Sequence, residues 1–137
     1  MAANVFGKLL NCVFMVLLLA GLGACSDKPV SDIKPPAVFK SIQGGSLDEW
    51  NAVRSKKVQW AGAVVQVMMI HGDDFIKEYY LRFDPGFNAP AIAEVCIDAS
   101  AAESYAPGQK VTVTGIILSS EKENQLTIIK LGSGKID

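Results

Sequence analysis

The sequence predicts a mainly β domain of five strands, with a short helix in front of them and a second short helix between strands three and four. Three observations predict it. From residue 58 onward, runs rich in Val, Ile and aromatics alternate with polar residues at a period of two. Clusters of Gly, Pro, Asn and Asp divide those runs into short pieces. Helix-start chemistry appears at two places, Ser46 just before those runs and Asp98–Ser100 among them.

In chain order, a single positive charge, Lys8, precedes an apolar run from Leu9 to Ala24 that is broken only by Asn11. The run falls short of the roughly 20 residues a membrane-spanning helix needs. A charged start, an apolar middle and a small-residue exit describe a secretory signal peptide over residues 1–24. The exit reads Leu22-Gly23-Ala24-Cys25. This resembles the lipobox of bacterial lipoprotein precursors: an aliphatic residue, two small residues, then cysteine. The resemblance implies cleavage between Ala24 and Cys25, a diacylglyceryl group on the Cys25 thiol, and palmitate-type acylation of the new amino terminus. Two or three acyl chains at about 0.8 kcal/mol per methylene hold a protein on a bilayer durably. By the same analogy Ser26, following the cysteine, points to the periplasmic face of the outer membrane. The alternative is an ordinary signal peptide, or a short membrane anchor, with a chance cysteine.

Removing residues 1–24 from the 137-residue chain leaves 113, enough for one domain and a tether. The full chain has 13 basic and 14 acidic residues; Lys8 leaves with the signal, so the mature net charge is −2. Such a domain has no overall electrostatic pull toward phosphate backbones. Cys12 leaves too, and Cys25 is the lipidation residue, so Cys96 has no partner for a disulfide. In the apolar run Ala93-Glu94-Val95-Cys96-Ile97 it reads as a small buried residue.

Residues 25–45 read as the lipidated cysteine and a Pro-rich tether. Pro29, Pro35 and Pro36 lie among mixed charges, and Gly44-Gly45 closes the stretch. In extended polyproline form at about 3.1 Å per residue it would reach roughly 60 Å. Val38, Phe39 and Ile42 are more apolar than a spacer requires and suit docking on the domain. The domain itself is expected over residues 46–132, with a frayed tail at 133–137.

Ser46-Leu47-Asp48-Glu49 is a capping box, and Leu47, Trp50 and Val53 share one face of the helix it opens. Strand one spans Val58–Ile70. Val58 and Trp60 alternate, then the bulky phase moves to Val65, Val67 and Met69, so Gly62 predicts a bulge or bend. His71–Asp74 is a turn. Strand two, Phe75–Asp84, puts Phe75, Tyr79, Leu81 and Phe83 on one face and Ile76, Glu78, Tyr80 and Arg82 on the other. After Asp84-Pro85-Gly86 and Asn88-Ala89-Pro90, Ala91–Asp98 is strand three. A short helix over Ser100–Ser104, capped by Asp98 or Ser100, ends at Pro107-Gly108. Strand four runs Gln109–Ser119 with a break at Gly115, Glu121–Asn124 is a charged turn, and Gln125–Leu131 is strand five.

This order, with its long kinked first strand, resembles the OB-fold, a small five-stranded Greek-key barrel. Pro107-Gly108-Gln109-Lys110-Val111-Thr112-Val113-Thr114-Gly115 is similar to the fourth strand of tRNA-anticodon-like OB domains, and Trp60-Ala61-Gly62-Ala63-Val64-Val65 to their first. A small β-sandwich and an SH3-like barrel remain the other candidate folds.

Catalytic motifs are not found, and neither a catalytic residue nor a cofactor is expected. His71 is the single histidine. With Asp73 and Asp74 it sits in one turn, short of the three or four converging ligands a transition metal needs, so no metal site is expected. The OB resemblance raises single-stranded nucleic acid as a ligand, held by exposed aromatics beside basic residues. Trp60, Lys77, Tyr80 and Arg82 are the candidate binding face, although Lys77 alternates against Tyr80 and Arg82 along the strand. Two functions follow. The first is a lipid-anchored, non-enzymatic envelope module whose first-to-second and fourth-to-fifth strand loops bind a protein, peptide or glycan. The alternative is a single-stranded nucleic-acid-binding protein, disfavoured by charge and by an envelope location.

Overall fold

The computed structural model describes residues 28–72, 74 and 76–137. The lipobox with Ala24 and Cys25, and the turn residues Asp73 and Phe75, lie outside the described residues. Six strands form one mixed sheet: β1 (Val30–Ser31), β2 (Lys57–His71), β3 (Lys77–Asp84), β4 (Ala91–Ile97), β5 (Lys110–Glu123) and β6 (Leu126–Ile136). Two α-helices, α1 (Pro35–Gln43) and α2 (Leu47–Val53), precede β2. A 3₁₀ helix, Ala99–Ser104, separates β4 from β5.

The sheet order is β1-β2-β3-β4-β6-β5, and β5 pairs back onto β2, so five strands close a ring of hydrogen bonds. The closure works because β2 is long enough to serve two partners. Its first half, Lys57–Ala63, runs antiparallel to β5, and its second half, Ala63–His71, runs antiparallel to β3. Gly62 sits at the exchange: a Cβ there would lie 2.3 Å from the Asp84 carbonyl oxygen, so only glycine lets the end of β3 come this close. The bulge itself falls three residues later than expected. Val64 faces Phe83 and Gln66 faces Arg82, leaving Val65 as the extra residue. Val58, Trp60 and Val64 therefore point inward before the bulge and Val67 after it, while Val65 and Met69 are exposed. The second irregularity, at Gly115, is where the sequence predicts it.

The core fills the ring with Val58, Trp60, Leu81, Phe83, Phe87, Ala93, Val95, Val113, Ile117, Ile129 and Leu131. Phe87 packs edge-on against Trp60, with ring centroids 5.7 Å apart. Each fully buried side chain of this size contributes about 1.5–3 kcal/mol.

Several expectations are corrected. Pro35–Gln43 is not extended spacer: prolines at its first two positions start α1. Val38 and Phe39 are buried in the core cluster, with Ile42 packed partly against it. Burying two large apolar side chains outweighs the polyproline preference of their neighbours. In α2, Ser46 caps by accepting from the Glu49 amide at 3.5 Å. Trp50 and Val53 pack inward, but Leu47 is exposed. Asp98 precedes the 3₁₀ helix without a side-chain capping bond. Glu121–Glu123 are strand rather than turn; the hairpin reverses over Asn124 and Gln125 alone, Asn124 taking φ 57°. Residues 133–136 are not frayed: β6 pairs Lys135 with Thr114 and Ile136 with Val113, and the Asp137 amide donates to the Thr112 carbonyl. Cys96 is exposed, because strand parity sends Ala93 and Val95 into the core and Cys96 outward.

Candidate functional site

The four residues expected to form a binding face do not share one. Trp60 is 4% exposed, and its indole N–H donates to the Ile33 carbonyl at 2.9 Å. This bond ties the segment before α1 to the core and removes the ring from any ligand. Arg82 and Tyr80 do lie on the outer side of β3, in register with Glu94 and Cys96 of β4. Lys77 opens β3 opposite His71 at the far end of the hairpin and is exposed.

Arg82 is consumed by the protein itself. It is 5% exposed, its Nε donates to Glu94 Oε2 at 2.8 Å, and its Nη2 donates to Glu123 Oε2 at 2.8 Å. Burial works against the guanidinium charge, but the Glu123 and Glu94 bonds outweigh it and raise the pKa above the ordinary arginine value. Glu94 is itself 4% exposed. Next along the row, Lys130 of β6 stands in register with Glu94 and pairs with Glu121 of β5 at 2.6 Å. That bond raises Lys130 and lowers Glu121. The row Arg82–Glu94–Lys130–Glu121 thus alternates in sign across β3, β4, β6 and β5, each cation facing an acid.

Tyr80 is also engaged. Its hydroxyl donates to Glu78 Oε2 at 2.6 Å, which together with burial pushes the phenol up to about 12. Cys96, beside it on β4, is raised first by partial desolvation and then by Glu78, Asp98 and Glu94. An elevated thiol is a poor nucleophile near neutral pH. His71 is exposed at the end of β2, and Asp74 Oδ1 accepts from the Ile76 amide, closing its own turn. Among the described residues no group of three or more His, Cys, Asp or Glu side chains converges as a metal site would.

Sequence reasoning missed Glu94, Glu123 and a groove at the β5–β6 hairpin. Glu94 sits in an apolar run, which was a signal, since a carboxylate between core residues needs a buried partner. The groove, about 680 Å³, lies between α1 and the β5–β6 hairpin. Phe39 and Ile42 of α1 supply apolar wall; Gln43, Lys122, Gln125 and Thr127 supply donors and acceptors. Its lining includes the strand-four-to-five turn expected to bind a partner. Its charged lining residues, Glu121 and Lys122, are opposite in sign. Apolar and hydrogen-bonding walls without a net positive charge suit a peptide or sugar chain better than a polyanion.

No family model matches the chain, and no curated protein matches it in sequence. Among solved structures it is similar to a crystal structure from Klebsiella pneumoniae subsp. pneumoniae MGH 78578, described as a "putative nucleic acid-binding lipoprotein". The TM-score is 0.56 at 13% identity, over 84% of this chain and 96% of that one. At that identity the likeness is one of fold.

Proposed function

We propose that this chain is a lipid-anchored bacterial envelope protein. Its folded part is an OB-like, five-stranded Greek-key barrel that acts as a non-enzymatic binding or assembly module for a protein, peptide or glycan. The strand order and the ring closed by β2 and β5 support the barrel reading, with β1 as a two-residue addition. The lipobox at Cys25 supports the anchor, and the lipoprotein of similar fold is consistent with it.

The observation that carries the choice of ligand is the neutralised arginine. An OB-type strand face that grips single-stranded nucleic acid needs open cations and stacking rings. Here Trp60 is core, Tyr80 is bonded to Glu78, and Arg82 is held between Glu94 and Glu123. The acids left around Tyr80 and Cys96 repel phosphate. The groove beside the β5–β6 turn is the better binding site.

The second reading, single-stranded nucleic-acid binding, is favoured by the name of the similar lipoprotein. One titration separates the two: fluorescence anisotropy of a labelled oligonucleotide against the protein at low salt. The module reading predicts no saturable binding. Salt-sensitive binding weakened by Lys77→Ala would replace it with the second. Crosslinking in intact membranes, followed by purification, is expected to recover one specific envelope partner, and that yield should fall with Gln125→Arg. Recovery of none would count against the module.

A further inference from the structure

We propose that the domain sits directly on the membrane that holds its lipid, with its β1 end against anionic headgroups and the β2–β3 hairpin tip facing away. The inference rests on acylation of Cys25, as proposed above.

The argument is one of chain length. The expected spacer is spent on structure: β1 pairs in parallel with the start of β2, Val30 beside Lys57 and Ser31 beside Val58. The following helix docks Val38 and Phe39 in the core. Only Ser26 and Asp27 stand between Cys25 and Lys28, where the described chain begins. At 3.8 Å between consecutive Cα atoms, those links span at most about 11 Å. A spacer expected to lift the domain roughly 60 Å therefore leaves it no more than about one Debye length from the lipid surface.

The end that this places on the bilayer has matching chemistry. Lys28 Nζ donates to the Ser55 carbonyl at 3.4 Å, and Ser55 and Lys56 bond the backbone of Ile117. Lys28, Arg54 and Lys56 are thus gathered with the exposed Val30 and Leu118. Against these cations stand Asp32 and, in the linking residues, Asp27. Cations beside aliphatic side chains match an anionic headgroup layer over acyl chains. The opposite end carries Met69, Ile70 and Ile76, all exposed, up to about 45 Å of strand path away.

The test uses the full acylated protein reconstituted in vesicles of phosphatidylethanolamine and phosphatidylglycerol. In a Cys96→Ser background one fluorophore is placed at Leu118→Cys or at His71→Cys, both exposed positions. A headgroup-borne nitroxide lipid is the quencher, and intact mass is recorded on the same samples. Quenching at position 118 should exceed that at position 71 several-fold. Adding Arg54→Glu and Lys56→Glu should lower it at least about twofold in these vesicles and leave it unchanged in purely zwitterionic ones. Equal quenching at both positions in a sample that carries acyl mass would overturn the proposal and leave the anchor standing. An unacylated chain would overturn both.

Discussion

Replacing Arg82 by alanine should be the most damaging single change on the outer face of the sheet. Arg82 and Glu94 are 5% and 4% exposed, with N–O 2.8 Å apart. The substitution leaves the Glu94 carboxylate buried without its cation, while Glu123, half exposed, can return to water. Breaking one side of such a pair costs about 3–5 kcal/mol, more than the pair itself contributes. At roughly 4 °C per kcal/mol for a domain of this size, the melting temperature should fall by about 12–20 °C. Urea unfolding followed by circular dichroism gives the free energy, and the midpoint should move without a change in slope. The double variant Arg82→Met with Glu94→Leu should recover most of the loss, because no charge is left unpaired. An Arg82→Ala protein within 1 kcal/mol of the parent would refute the reasoning. The pair would then be solvated, and Arg82 would return as a ligand contact.

Other outcomes follow from the same structure. Val113→Asp places a charge at a fully buried core position and should cost several kcal/mol; a melting temperature within a degree or two of the parent would mean the strand faces outward. Gly62→Ala drives a methyl into the Asp84 carbonyl and should cost about 1–3 kcal/mol in urea unfolding, against little effect for Asn51→Ala on the exposed side of α2. An absorbance titration of the tyrosines should show a step near pH 12, and Tyr80→Phe should delete that step. The folded pKa of Tyr80 lies above the ordinary phenol value of 10.0, so the folded state holds the proton more tightly. The associated stability is complete below pH 10 and is lost as pH rises toward 12, a decline that Glu78→Gln should reduce.

The fate of Arg82 shows how far a sequence can be read. Period-two alternation placed Leu81 and Phe83 on one side of β3 and Tyr80 and Arg82 on the other, and the structure agrees. Alternation describes one strand at a time, however. That Arg82 meets Glu94 twelve residues on and Glu123 forty-one residues on depends on which strands are neighbours and in what register. The same limit explains Trp60. Its shared phase with Val58 was legible, but not that this phase points inward, and its partner Ile33 lay in a segment whose prolines looked like spacer. The groove beside the β5–β6 turn was hidden for a related reason, since it needs α1 docked on the sheet before it has a second wall.

By itself the sequence determined the mainly β character, the starts of α2 at Ser46 and of the 3₁₀ helix at Asp98, the Gly115 irregularity and several of the turn-rich boundaries. These depend on local backbone preferences and on side-chain periodicity, which act within a few residues. Only the tertiary structure decided the β2 exchange of partners at Gly62, the parallel pairing of β4 with β6, the helix made from Pro35–Gln43, and the burial of Arg82. Each turns on free energy shared between segments far apart in the chain: apolar area buried jointly, or a charge whose desolvation is tolerable only beside one particular acid.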